Sequence, residues 1–160
     1  MRTLMRTTVV VGIFALSSLV HAQGDPNVGT WKLNLTKSKF DPGPPPKSLT
    51  RTYEPVRNGI KVSVEGVDAF NNPIRYGFTA TYDGKEYPLT GLGVPGDADR
   101  IAVRRADIAF TVEETLKQAA KHVFTIRRDV SQKGKVLTLT GKGMNAAGQP
   151  INNVTVYDKQ

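Results

Sequence analysis

Apolar and polar residues alternate through most of this chain, and turn residues break the alternation at short intervals. A period of two sends successive side chains to opposite faces of an extended backbone. Each run therefore reads as a half-buried β-strand. The first run, residues 28–35, places Gly29, Trp31, Leu33 and Leu35 on one face and Thr30, Lys32 and Asn34 on the other. Residues 48–54 follow, with Leu49 and Tyr53 on one face. In 60–66, Ile60, Val62 and Val64 point inward. Residues 74–82 form the clearest run, with Ile74, Tyr76, Phe78, Ala80 and Tyr82 sharing a face. Further runs cover 85–89, 100–105, 108–116, 122–131, 135–141 and 150–159. Asn58-Gly59, Asp83-Gly84 and Lys133-Gly134 mark tight turns. Residues 36–47 carry Pro42, Pro44, Pro45 and Pro46 and cannot be helical through them. They are expected to cross one end of the domain as an ordered loop anchored by Phe40. Residues 112–122 stay open between two states. Glu113 to Lys121 has helix-forming composition, but both flanks alternate with period two and favour a hairpin. About ten short strands with turn chemistry between them predict an all-β barrel or sandwich.

The N-terminus does not belong to that pattern. Arg2 and Arg6 precede a short apolar run over 9–20, and Val20-His21-Ala22 ends on a small residue before Gln23. This is the layout of a secretory signal peptide, and the run is short for a membrane span. Residues 1–22 are expected to be removed, leaving one domain, 23–160, in the bacterial periplasm or secreted. About 138 residues remain, long enough for a sizeable core. There is no cysteine, so disulfides and thiol chemistry are excluded and the core alone must hold the fold. The net charge is +8, or about +6 without Arg2 and Arg6, and it is scattered along the strands. That pattern favours solubility. No basic run interleaves with aromatics, so no nucleic-acid site is expected. No later segment reads as a membrane span, and a monomer is expected.

Gly29-Thr30-Trp31-Lys32-Leu33 resembles the G-x-W opening of lipocalins and the G-T-W-K-L opening of fatty-acid-binding proteins. Val156-Tyr157-Asp158-Lys159 resembles the V-Y-E-K terminus of the latter. Thr125-Ile126-Arg127-Arg128, the Lys-Gly turn and Val136 to Thr140 resemble their late strand pair. The whole is similar to small exported bacterial proteins described as lipocalin-like, within the calycin group. The resemblance implies an antiparallel up-and-down β-barrel. Two departures matter. Residues 36–47 are too short and proline-rich for the paired helices of fatty-acid-binding proteins, so no helical lid is expected. Their last strand carries R-x-Y; here Tyr157 matches the tyrosine, but Thr155 stands at the arginine, while Arg128 matches the group's other buried arginine.

Arg128 alternates with Phe124, Ile126 and Val130 and so points inward. A buried guanidinium needs a partner. That partner is a ligand anion, Glu114 across the hairpin, or a ring such as Trp31 at the barrel end. Tyr53, Tyr76, Tyr82 and Tyr157 fall on apolar faces, where they either line a cavity or fill the barrel. The expected ligand-lining set is Arg128, Tyr76, Phe78, Tyr82, Tyr157 and Glu114. Catalytic signals are thin. His122 is the only histidine after the leader, and neighbours Glu113 and Glu114 point to opposite faces of a strand. Neither a metal centre nor a nucleophile triad is indicated. No enzyme activity and no cofactor are expected. Two function classes remain: a binding module for a small apolar or amphipathic molecule, and a non-catalytic envelope interaction or structural protein with a filled barrel. A lumen of roughly 300 Å³ or more separates them.

Overall fold

The structure, a computed structural model, describes residues 24–106, 110–131, 133–145 and 148–160. The signal peptide expected over 1–22 lies outside the described residues. Eleven strands form one antiparallel sheet: β1 (Gly29–Leu33), β2 (Ser48–Val56), β3 (Gly59–Val67), β4 (Pro73–Thr81), β5 (Asp83–Pro88), β6 (Thr90–Leu92), β7 (Arg100–Arg105), β8 (Thr111–Gln118), β9 (Lys121–Val130), β10 (Val136–Met144) and β11 (Pro150–Lys159). Their order is β5-β7-β8-β9-β10-β11-β1-β2-β3-β4-β6.

The two edges of this sheet are consecutive pieces of chain. Residues 83–92 read as one strand that changes partner at Leu89. The part before Leu89 pairs with β7 and the part after it pairs with β4. Leu89 itself is buried, and its N–H donates to the Asp99 carbonyl at 3.0 Å. The sheet thus curls into a nearly closed barrel, the arrangement that removes exposed strand edges.

A second edge is covered by the proline-rich segment. β1 is short, so it pairs only with Tyr157, Asp158 and Lys159 of β11. Beyond that point the segment 34–41 takes its place. Asn34 N–H donates to Val156 O at 2.8 Å. Lys39 and Val154 exchange both backbone bonds at 2.7 and 2.8 Å, and Asn152 N–H donates to Asp41 O at 2.6 Å. The segment is an extended strap across one end of the barrel. The described helical pieces are the 3₁₀ turns Leu35–Lys37 and Pro95–Asp97, so there is no helical lid. None is long and apolar enough to cross a membrane.

The ambiguous stretch 112–122 is a hairpin, β8 to β9. Its turn is Ala119-Ala120, both left-handed at φ 47° and 66°. Such turns favour Asn-Gly, so two alanines hide the hairpin and leave helical composition in view. The run expected over 108–116 begins later, at Thr111, because Phe110 takes φ 69°; residue 108 lies outside the described residues. Tyr82 also differs from expectation. β4 ends at Thr81, so Tyr82 sits in the turn, half-buried.

One end of the barrel is shut by the lead into β1. Asn27 is fully buried, and the Trp31 indole N–H donates to its carbonyl at 2.8 Å. Asp25 crosses to the far wall. Its carboxylate accepts from the Tyr82 hydroxyl and, at 3.0 Å, from Arg105 Nη2, while Asn27 donates to its other oxygen. Burial would raise the Asp25 carboxyl, but the bonds from Tyr82 and Asn27 and the Arg105 charge outweigh it and hold it below the usual range. Arg105 also lies 4.1 Å from the Tyr82 ring centroid. Trp31 is fully buried, and the Lys159 ammonium, not an arginine, sits 5.0 Å over its ring.

Candidate functional site

The inner face divides into a filled half and an open half. The filled half holds Trp31, Tyr53, Ile60, Val62, Phe78, Ala80, Val103, Val112, Val130 and Leu137, all buried. Two charges lie within it. Glu114 and Arg128 are diagonal neighbours on the inner face of β8 and β9, since Glu114 pairs with Ile126 and Arg128 with Val112. Arg128 Nη1 stands 3.0 Å from Glu114 Oε1, and neither side chain is more than 1% exposed. The approach is off the N–H axis, so this is a contact of charges without an aligned hydrogen bond. The guanidinium also lies 4.6 Å from the Tyr53 ring centroid. Burial works against the Arg128 charge, and Glu114 more than offsets it. Arg128 therefore meets its need for a partner inside the protein.

The open half is a cavity of about 310 Å³ under the strap. Its walls are Leu49, Ile74, Phe124, Ile126, Leu139 and Ile151. Its roof is made by Phe40, Pro42, Pro44 and Pro46 of the strap, with Ala69 and Phe70 of the β3–β4 loop and Pro95. Prolines at every second position of an extended segment present their rings on one side, and they bring no unpaired N–H to an apolar chamber. The chamber stays open partly because of two glycines. Gly141 and Gly143 stand on the inner face of β10, opposite Ile126 and Phe124. A Cβ at either would lie 2.6 or 2.2 Å from the Phe124 ring. Their absent side chains let that ring lie flat against the sheet.

Polar groups border this apolar space at one place. Arg51, Tyr76 and Tyr157 line it together. Arg51 is 4% exposed, and its Nε–H donates to the Tyr53 hydroxyl at 3.0 Å. Its guanidinium carbon lies 6.0 Å from the Tyr157 ring centroid. Burial opposes the Arg51 charge, but Tyr53, Tyr76 and Tyr157 outweigh it and keep the group ionised. Burial pushes the Tyr76 hydroxyl up to about 12, against the pull of Arg51, so it stays protonated. Burial likewise raises Tyr157. Among the described residues Arg51 forms no salt bridge.

Of the six residues expected to line a ligand site, Tyr76 and Tyr157 border the cavity. Arg128, Glu114 and Phe78 lie in the filled half, and Tyr82 lies at the shut end. Arg51 was visible in the alternation, because it stands between Leu49 and Tyr53 on one face of β2. His122 is exposed at the hairpin end, with its ring nitrogen 2.7 Å from Thr125 Oγ1. Asp68 reaches the cavity rim, but its carboxylate accepts from Phe70 and Asn72 and shapes the loop.

No family model matches the chain. No curated protein matches it. Among solved structures it is similar to zebrafish ileal bile acid-binding protein complexed with cholic acid, with a TM-score of 0.52 and 14% sequence identity over 84% of this chain and 99% of that one. At that identity the likeness is one of fold, and the barrel described above is a calycin-type barrel like that of the fatty-acid- and bile-acid-binding proteins.

Proposed function

We propose that this protein is an exported, non-catalytic binding protein that holds one small amphipathic molecule in the open half of its barrel. The observation that carries this reading is the apolar chamber of about 310 Å³ with polar groups gathered at one place on its wall. Concave, mostly apolar sites with a few convergent polar groups are the usual form of small-molecule sites, and roughly 300 Å³ is the lower end of their range. The similar zebrafish protein is complexed with cholic acid, itself an amphipathic molecule. A wholly filled barrel serving only as an interaction surface has less support, because the strap and the two glycines maintain space that side chains of ordinary size would close.

Titration with N-phenyl-1-naphthylamine, a neutral fluorophore, tests the proposal. Saturable one-site binding is expected. Thr155 borders the cavity and is half-buried, so Thr155→Phe should put a ring into the chamber and weaken binding by at least about tenfold, roughly 1.4 kcal/mol. Absence of saturable binding, or equal affinity in Thr155→Phe, would count against a ligand site here.

A further inference from the structure

We propose that Arg51 is the anchor for an anionic head group, so that the chamber selects amphipathic carboxylates over neutral molecules of the same shape. This rests on the ligand-binding reading of the cavity. The two buried arginines differ in one respect. Arg128 is sealed, with Glu114 beside it, and its nitrogens are closed off from the cavity. Arg51 is almost as buried, borders the cavity and has no carboxylate among the described residues. Only tyrosines surround it: Tyr53 accepts from Nε, and Tyr76 and Tyr157 flank the remaining side.

A buried cation without a counter-ion is costly. Neutral hydroxyls satisfy some of its N–H groups but supply no charge. A guanidinium has five N–H donors in a planar fork, and Tyr53 occupies one. The η nitrogens match the two oxygens of a carboxylate in a bidentate contact. The Tyr76 hydroxyl makes no hydrogen bond among the described residues and stays protonated, which makes it a further donor. The apolar walls then take the body of the molecule. Neither position at which the fold's relatives carry an arginine can perform this task here. Thr155 has no charge, and Arg128 is already neutralised.

Displacement of bound N-phenyl-1-naphthylamine by dodecanoate and by 1-dodecanol tests the inference on the intact protein. Dodecanoate is expected to displace the fluorophore at a concentration at least about tenfold below that of dodecanol, the worth of one charge-assisted hydrogen bond. In Arg51→Met the two values should fall within about twofold of each other, with dodecanol unchanged and the melting midpoint no more than a few degrees below the parent. Arg51→Gln, a polar replacement, should behave the same way if the methionine variant does not fold. Arg51→Lys should keep part of the preference. Saturable fluorophore binding with no preference for dodecanoate, or a preference untouched by either neutral substitution, overturns the role of Arg51 and leaves the binding reading standing. No saturable binding of the fluorophore overturns both.

Discussion

Glu114→Ala is expected to lower the unfolding free energy by about 3–5 kcal/mol, the cost of leaving one member of a buried ion pair alone. Glu114 and Arg128 are no more than 1% exposed, and their charges face each other at 3.0 Å in the filled half of the barrel. Removing the carboxylate strands the guanidinium between Tyr53 and the apolar wall, where no other acidic group reaches it. For a domain of this size the melting midpoint should fall by about 10–20 °C. Arg128→Met should be similarly costly, because it leaves Glu114 bare. Replacing both, in Glu114→Leu/Arg128→Met, should recover most of the loss or exceed the parent, since the pair owes its existence to mutual neutralisation and not to aligned hydrogen bonds. Urea unfolding of the three variants checks this. Single variants within 1 kcal/mol of the parent would show that water or a ligand reaches the pair.

Trp31→Ala should cost about 3–5 kcal/mol by the ordinary reckoning for a large aromatic core side chain. Trp31 is fully buried, and its indole N–H holds the carbonyl of Asn27 at 2.8 Å. Its loss therefore empties a large volume and also loosens the lead that shuts this end of the barrel. Asn27 ties to Asp25, and Asp25 ties to Tyr82 and Arg105 on the opposite wall. Trp31→Phe should cost less than alanine, because it keeps most of the ring volume and gives up chiefly the hydrogen bond, worth about 1 kcal/mol. Thermal unfolding reads both. An unchanged midpoint in Trp31→Ala would show that the barrel end is not closed by this ring.

Strand alternation made most of the barrel legible. β7 and β11 fall where the pattern places them, and the pairing of Arg128 with Glu114 follows from two inward residues on adjacent strands. Three features were less open to reading. The switch of partner at Leu89 depends on how far the sheet has curled, which no local pattern records. The Ala119-Ala120 turn uses residues with no turn signature, so the hairpin was masked by helical composition. Arg51 was passed over because alternation was sought among apolar residues, and a buried cation between Leu49 and Tyr53 looks like an interruption of the face. The cavity itself was the hardest to foresee. It is a difference between facing walls, created by the missing side chains of Gly141 and Gly143 beneath Phe124 and by a strap of prolines held to β11. Tyr76 and Phe78 share one face of one strand, yet Tyr76 borders the chamber and Phe78 lies in the packed half.

The central claim is that the barrel is open at the strap end and packed at the end shut by Trp31 and Asp25. Amide NMR spectra recorded while dodecanoate is added test it most directly, because glycines mark both ends. Gly93 and Gly141 line the chamber, whereas Gly29 lies against the Lys159 side chain and Gly84 lies in the segment following Tyr82. The account predicts that the resonances of Gly93 and Gly141 shift and saturate together while those of Gly29 and Gly84 stay in place. Shifts concentrated at Gly29 and Gly84, or no saturable shift at Gly93 and Gly141, would contradict it.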